Sequence, residues 1–84
     1  MRLPIVKHIS NFIQKNDQDF IEETLEVLEY LIDARGIKDE ELDVIGEIMS
    51  NLNGAIEVQK LIKEGIPQKE ALNKFMSKVT SIGK

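Results

Sequence analysis

Glu22, Glu26, Glu29 and Asp33 stand four, three and four residues apart. On a helix that spacing gathers four carboxylates on one face. Carboxylates at such density bridge metal pairs when Glu-x-x-His motifs on facing helices complete the ligand set. The chain has one histidine, His8, and no Glu-x-x-His motif. The stripe also falls away from the apolar side of its helix, whereas a bundle metal site is built in the core. It therefore reads as a solvated acidic face, with docking of a basic partner as the alternative. Like charges at these spacings cost roughly 0.2–0.5 kcal/mol per pair, which a bound cationic partner would relieve.

The other reactive residue types lack the company their chemistry needs. His8 has no second ligand or catalytic partner near it in sequence, and it sits at the margin of an apolar stripe, so it reads as a partly exposed edge histidine. Ser10, Thr24, Ser50 and Ser77 have no base at readable spacing. The absence of cysteine excludes disulfides, thiolate metal sites and thiol catalysis. No glycine-rich phosphate loop follows a strand. An acyl carrier would need a serine in an Asp-Ser-Leu context at a helix start, and Ser50 stands in Met-Ser-Asn inside a helix. Lys7, Lys69, Lys74 and Lys78 could touch phosphates. Two arginines, 5% aromatic residues and a pI near 4.9 argue against nucleic-acid binding. The expectation is a protein that is not an enzyme and takes no cofactor, metal or nucleic acid.

A different pattern asks for a structural answer. Gly46, Ser50 and Gly54 fall four residues apart inside GEIMSNLNGAIE. Positions four apart advance by about 40°, so the three form a slanted ridge of small groups beside the apolar seam. Each mid-helix glycine costs about 1 kcal/mol relative to alanine. Three readings compete. The ridge lets a neighbouring helix, from this chain or a second copy, approach closely. It opens a groove for a ligand or partner peptide. Or the helix breaks at Asn53-Gly54, a turn dipeptide.

The elements that position these residues are all helical. The first is expected at about 4–15, with Pro4 in its first turn; Ile5, Ile9 and Phe12 form its stripe, widened by Val6 and Ile13. Asn16-Asp17 breaks the pattern and can cap the next helix. The second is expected at about 17–35, with acids in its first turns and Arg35 in its last, as the macrodipole favours. Ile21, Leu25, Leu28 and Ile32 make one apolar face, and Phe20, Thr24, Val27 and Leu31 extend it. So wide an arc describes a helix touching two neighbours. Gly36 then offers a left-handed C′ residue, with Ile37 beside it.

The third helix is expected at about 39–64, continuous through Asn53-Gly54. Asp39, Glu40 and Glu41 load its first turn with negative charge, and Leu42, Ile45, Met49, Leu52 and Ile56 form its seam. Glu64-Gly65-Ile66 repeats the corner of Arg35-Gly36-Ile37. A fourth helix at about 67–80 carries Ala71, Leu72, Phe75, Met76 and Val79 on its apolar face, and Ser81 to Lys84 are expected to fray. The sum is an all-α fold: an antiparallel hairpin of two long helices flanked by two shorter amphipathic ones, in one domain spanning 1–84.

Size and charge suggest how such a fold is completed. A single core in 84 residues rarely gives more than roughly 3–5 kcal/mol unless something staples it, and the most plausible staple here is a second copy. Residues 1–15 carry three basic groups and no acid. Residues 16–57 carry thirteen acids against two bases, and residues 58–84 carry six lysines against two acids. Basic ends bracketing an acidic middle suggest that the ends fold back on the centre, in cis or across a dimer. No apolar run approaches the ~20 residues of a membrane span, and no signal peptide opens the chain, so cytoplasmic residence is expected.

The chain resembles a small family of bacterial helical proteins of unknown function. The resemblance runs through Leu-Pro-Ile-Val-Lys-His, Ile-Glu-Glu-Thr-Leu-Glu-Val-Leu-Glu, Gly-Ile-Lys-Asp-Glu-Glu-Leu-Asp-Val-Ile-Gly-Glu and Asn-Gly-Ala-Ile-Glu-Val. It covers nearly the full length, brings no catalytic residues, and implies a whole protein, not a fragment of a larger enzyme. The expected function is a self-associating protein–protein interaction module, working through the ridge at Gly46, Ser50 and Gly54 or the acidic face at Glu22, Glu26, Glu29 and Asp33. The alternative is a helical bundle that binds a small ligand or metal.

Overall fold

Fourteen apolar and small residues along one long helix organise everything else. In the computed structural model, which describes the backbone of residues 2–82 and the side chains of residues 2–78, four helices follow one another: α1 (Leu3–Lys15), α2 (Asp19–Leu31), α3 (Asp39–Lys63) and α4 (Gln68–Ile82). α3 runs unbroken through Asn53-Gly54. Its seam stays in phase across the dipeptide, and packing there outweighs the local turn preference. Every other helix packs on α3.

The core is Val6 and Ile13 of α1, Ile21 and Leu25 of α2, Leu52, Ala55 and Val58 of α3, and Ala71, Leu72 and Phe75 of α4. Most of it lies where the second half of α3 meets α1 and α4. An α2–α3 hairpin is compatible with the contacts of α2, which are chiefly with α3. The buried line of α1 is Val6, Ser10 and Ile13. The stripe expected to lead, Ile5, Ile9 and Phe12, lies at its edge: Ile5 and Phe12 are exposed and Ile9 is half-buried. The inversion follows from α4. Its first residue, Gln68, donates through Nε2 to Ser10 Oγ at 3.3 Å and to Asn11 Oδ1 at 2.7 Å, turning the Ser10 side of α1 inward.

Local chemistry sets the helix ends. The Asp17 carboxylate accepts the Asp19 N–H at 3.1 Å, so α2 starts two residues later than expected, with Asp17 as its capping group. Glu41 Oε1 accepts the Lys38 N–H at 2.9 Å at the start of α3. The end of α3 is a Schellman turn: Gly65, at φ +101°, donates to the Ile62 carbonyl, and Ile66 donates to that of Leu61. Leu61 and Ile66 both pack against the core, as that motif favours.

The first corner is different. α2 ends at Leu31, not Arg35. Asp33 and Ala34 donate to Tyr30 and Leu31 in tight i→i+3 turns, and Gly36 (φ +83°) reverses the chain well beyond the helix. Two effects shorten α2. Glu29 and Asp33 place negative charge at the wrong end of its dipole. Tyr30, Leu31 and Ile32 stay exposed, Tyr30 to 84%, so little burial offsets the entropy of further helix. α4 continues to Ile82, so Ser81 and Ile82 are helical where fraying is expected. The place of Val79 on the apolar face and the ends at Gly83 and Lys84 lie outside the described residues.

The molecule is a slab. Its Cα atoms span 44 × 33 × 16 Å with a radius of gyration of 13.7 Å. A compact domain of this length has about 12 Å. The open part is the end made of the second half of α2, the turn after it and the first half of α3.

Candidate functional site

The open end carries the largest exposed apolar side chains. On α2 the extended stripe Phe20, Thr24, Val27 and Leu31 is exposed throughout, Val27 to 66%. On α3 Val44 and Ile48, one turn apart, are exposed to 58% and 43%. Ile5 and Phe12 of α1 complete the set. The arc round α2 predicts a second neighbour, and the chain itself supplies little to that face beyond a ring contact. Phe12 and Phe20 meet edge to face, with centroids 6.0 Å apart and planes at 81°.

All of these except Val27 and Leu31 line one of two adjoining hollows. One, of about 520 Å³, lies between the start of α1 and the first half of α3, with Ile5, Ile9, Val44 and Ile48 as its apolar lining and Arg2, Asp43 and Glu47 at its margin. The other, of about 320 Å³, lies where Ile9 and Phe12 face Phe20, Ile21 and Thr24 over Leu52. Ile9 belongs to both, so the hollows join into one trough. α1 and α3 line it throughout, and α2 borders only the smaller hollow, through Phe20, Ile21 and Thr24.

The α1 wall is fixed by a single side chain. Asn51, 3% exposed, accepts the Arg2 N–H through Oδ1 at 3.0 Å and donates through Nδ2 to the Glu47 carbonyl at 2.8 Å. Arg2 is the N-cap of α1 and has no side-chain cap of its own, so Asn51 anchors this helix start from another helix. The Glu47 carboxyl beside it is held below the usual carboxylate range. The chain's amino group does this first by hydrogen bonding and then by charge, a little desolvation opposes it, and Asn51 and Arg2 add to it.

The sequence-derived candidates sit elsewhere. Gly46 is exposed, and a Cβ built on it would meet no atom within 4 Å. Ser50 is half-buried and Gly54 is buried within the fold. The ridge is thus divided between a packed end and an open one, and none of its residues lines a hollow described above. Glu22, Glu26, Glu29 and Asp33 are all exposed on α2. They face away from the trough wall, about 160° round the helix at 100° per residue. His8 is exposed at the rim of the smaller hollow. Among the described residues no group of three or more metal-ligating side chains is assembled. No helix is long and apolar enough to cross a membrane.

Sequence reasoning missed Val44 and the trough floor. The available signal was the Val44–Ile48 pair, spaced four apart but off the Leu42–Ile45–Met49 seam. The expectation that the basic ends fold back on the acidic centre finds support at the start of α1, where Arg2 lies with Asp43 and Glu47 of α3. A local ion pair joins Lys60 Nζ and Glu57 Oε1 at 3.3 Å on α3. A further hollow of about 620 Å³ between α1 and α4 is rimmed by Lys7 and Lys69, but none of the large exposed apolar side chains lines it.

The chain belongs to a family of unknown function (DUF6952), whose sequence model matches residues 1–82. No curated protein and no solved structure is significantly similar to it.

Proposed function

We propose that this chain is a non-enzymatic, helical protein–protein interaction module that associates with itself. One observation carries the reading: the second apolar stripe of α2, Phe20, Thr24, Val27 and Leu31, is exposed along its length, and its first half lines an apolar hollow. Scattered exposed apolar residues are ordinary, but a contiguous set rimmed by polar groups marks an interface.

Surface area supports it. The chain exposes 6039 Å². A folded monomer of 9.6 kDa exposes about 5,100 Å². The excess of about 900 Å² compares with roughly 800 Å² per partner in a standard interface. The small-ligand alternative finds less support, because both hollows are open to solvent. The proposed location is the cytoplasm, which fractionation of the native host tests.

Sedimentation velocity over a range of micromolar concentrations tests the association. The expected result is a concentration-dependent species of twice the 9.6 kDa chain mass. A monomer at every concentration would refute the reading.

A further inference from the structure

We infer that the hollow between α1 and α4 is a binding site for an anionic amphiphile, an aliphatic chain that ends in a carboxylate or a phosphate. Such binding does not depend on self-association. At 100° per residue the hollow lies about 160° round α1 from the Ile5, Ile9 and Phe12 side that lines the trough, so covering one leaves the other free.

The shape suits such a ligand. The hollow has a volume of about 620 Å³, within the roughly 300–1,000 Å³ of small-molecule sites. Leu3 and Pro4 of α1 and Leu72 of α4 give it an apolar lining, and Leu72 belongs to the core. Its two sides are tied together where α4 begins. There Gln68 Nε2 donates to Ser10 Oγ at 3.3 Å and to Asn11 Oδ1 at 2.7 Å, both on α1. These bonds hold the two helices before any ligand arrives, which lowers the ordering cost of binding.

Charge selects the headgroup. Lys7 stands on the α1 side and Lys69 on the α4 side, and no acid lines the hollow. Two positive charges thus face one cavity on a chain of net charge −4. Neither lysine has an acid three or four residues away on its own helix, as Lys60 has in Glu57, and among the described residues neither forms an ion pair. Asn73 adds an amide donor, and the hollow borders the first residues of α4, the positive end of that helix's dipole. The larger hollow of the trough differs, because Asp43 and Glu47 at its margin repel an anion. No aromatic side chain lines the α1–α4 hollow, so it offers a flat ring nothing to stack on, whereas its leucines and proline suit an aliphatic chain.

The test is an amide NMR titration of the full chain with octanoate and with octyl phosphate. The expected result is saturable shifts in residues 3–7 and 68–73 with at least one probe, and the tighter of the two names the headgroup. Neutral 1-octanol should bind about tenfold more weakly, and so should butyrate, which is four methylenes shorter than octanoate. Lys7→Gln with Lys69→Gln, at two exposed positions, should raise the dissociation constant about tenfold. Lys60→Gln with Lys63→Gln removes the same charge from α3 and should leave it unchanged. Asn73→Trp fills the hollow from an exposed position and should abolish binding with the charge kept. Circular dichroism shows whether each variant is helical, and the wild-type comparison of probes needs no variant. No saturable shift with either anion, shifts that map to the trough, octanol binding as tightly as octanoate, or binding that survives Lys7→Gln with Lys69→Gln would overturn the site, whatever the oligomeric state of the chain.

Discussion

Replacing Gly46 with alanine is expected to stabilise the protein. Gly46 lies inside a 25-residue helix, where glycine costs about 0.8–1 kcal/mol relative to alanine because its backbone loses more freedom on folding. The new methyl group meets nothing, since no atom lies within 4 Å of a Cβ built there. No clash therefore offsets the gain, and an exposed methyl adds little burial. The net is about +0.8 kcal/mol. For 84 residues the entropy of unfolding is roughly 0.18 kcal/mol/K, so the melting temperature should rise by about 4–5 °C. Thermal melts followed by circular dichroism measure this, at matched protein concentrations because any self-association would move the midpoint. An unchanged or lower melting temperature would refute the reasoning. It would mean that the open end of the small-residue ridge is filled in the folded assembly.

Other substitutions probe the supports of the trough. Asn51→Ala removes the acceptor for the Arg2 N–H and should destabilise the chain by about 1–2 kcal/mol, with amide exchange accelerated in the first turn of α1. Gly65→Ala forces a side chain into φ +101° and should lower stability by about 1–2 kcal/mol in urea denaturation, with the slope unchanged. Gln59→Met should raise stability by about 1 kcal/mol in the same assay, because Gln59 Oε1 is buried and finds no donor among the described residues.

Helix existence and most helix boundaries follow from local chemistry and were legible in the chain. Periodicity identified α3 and its continuity through Asn53-Gly54, and the Glu64-Gly65-Ile66 corner has the hydrogen bonds that its residue types imply. The same local reading failed at Arg35-Gly36-Ile37. Glycine permits a left-handed residue, but helix up to that glycine persists only where enough packs on it, and Tyr30 and Leu31 stay exposed. Likewise, Ile5, Val6, Ile9, Ser10, Phe12 and Ile13 of α1 offer two adjacent stripes, and sequence hydrophobicity favours the one without the serine. The bond from Gln68, fifty-eight residues away, settles which is buried.

The trough belongs to the same class. Composition and pattern determine that α2 has a wide apolar arc and that acids and bases lie in separate blocks. They act through nearest neighbours and through the 3.6-residue repeat, so a sequence carries them openly. Where α1 crosses α3, and therefore which side chains stay uncovered, depends on contacts between residues far apart in the chain. Asn51 holding Arg2 and Gln68 holding Ser10 fix that crossing. Only the assembled tertiary structure shows that Val44 and Ile48 are left as a floor with no roof.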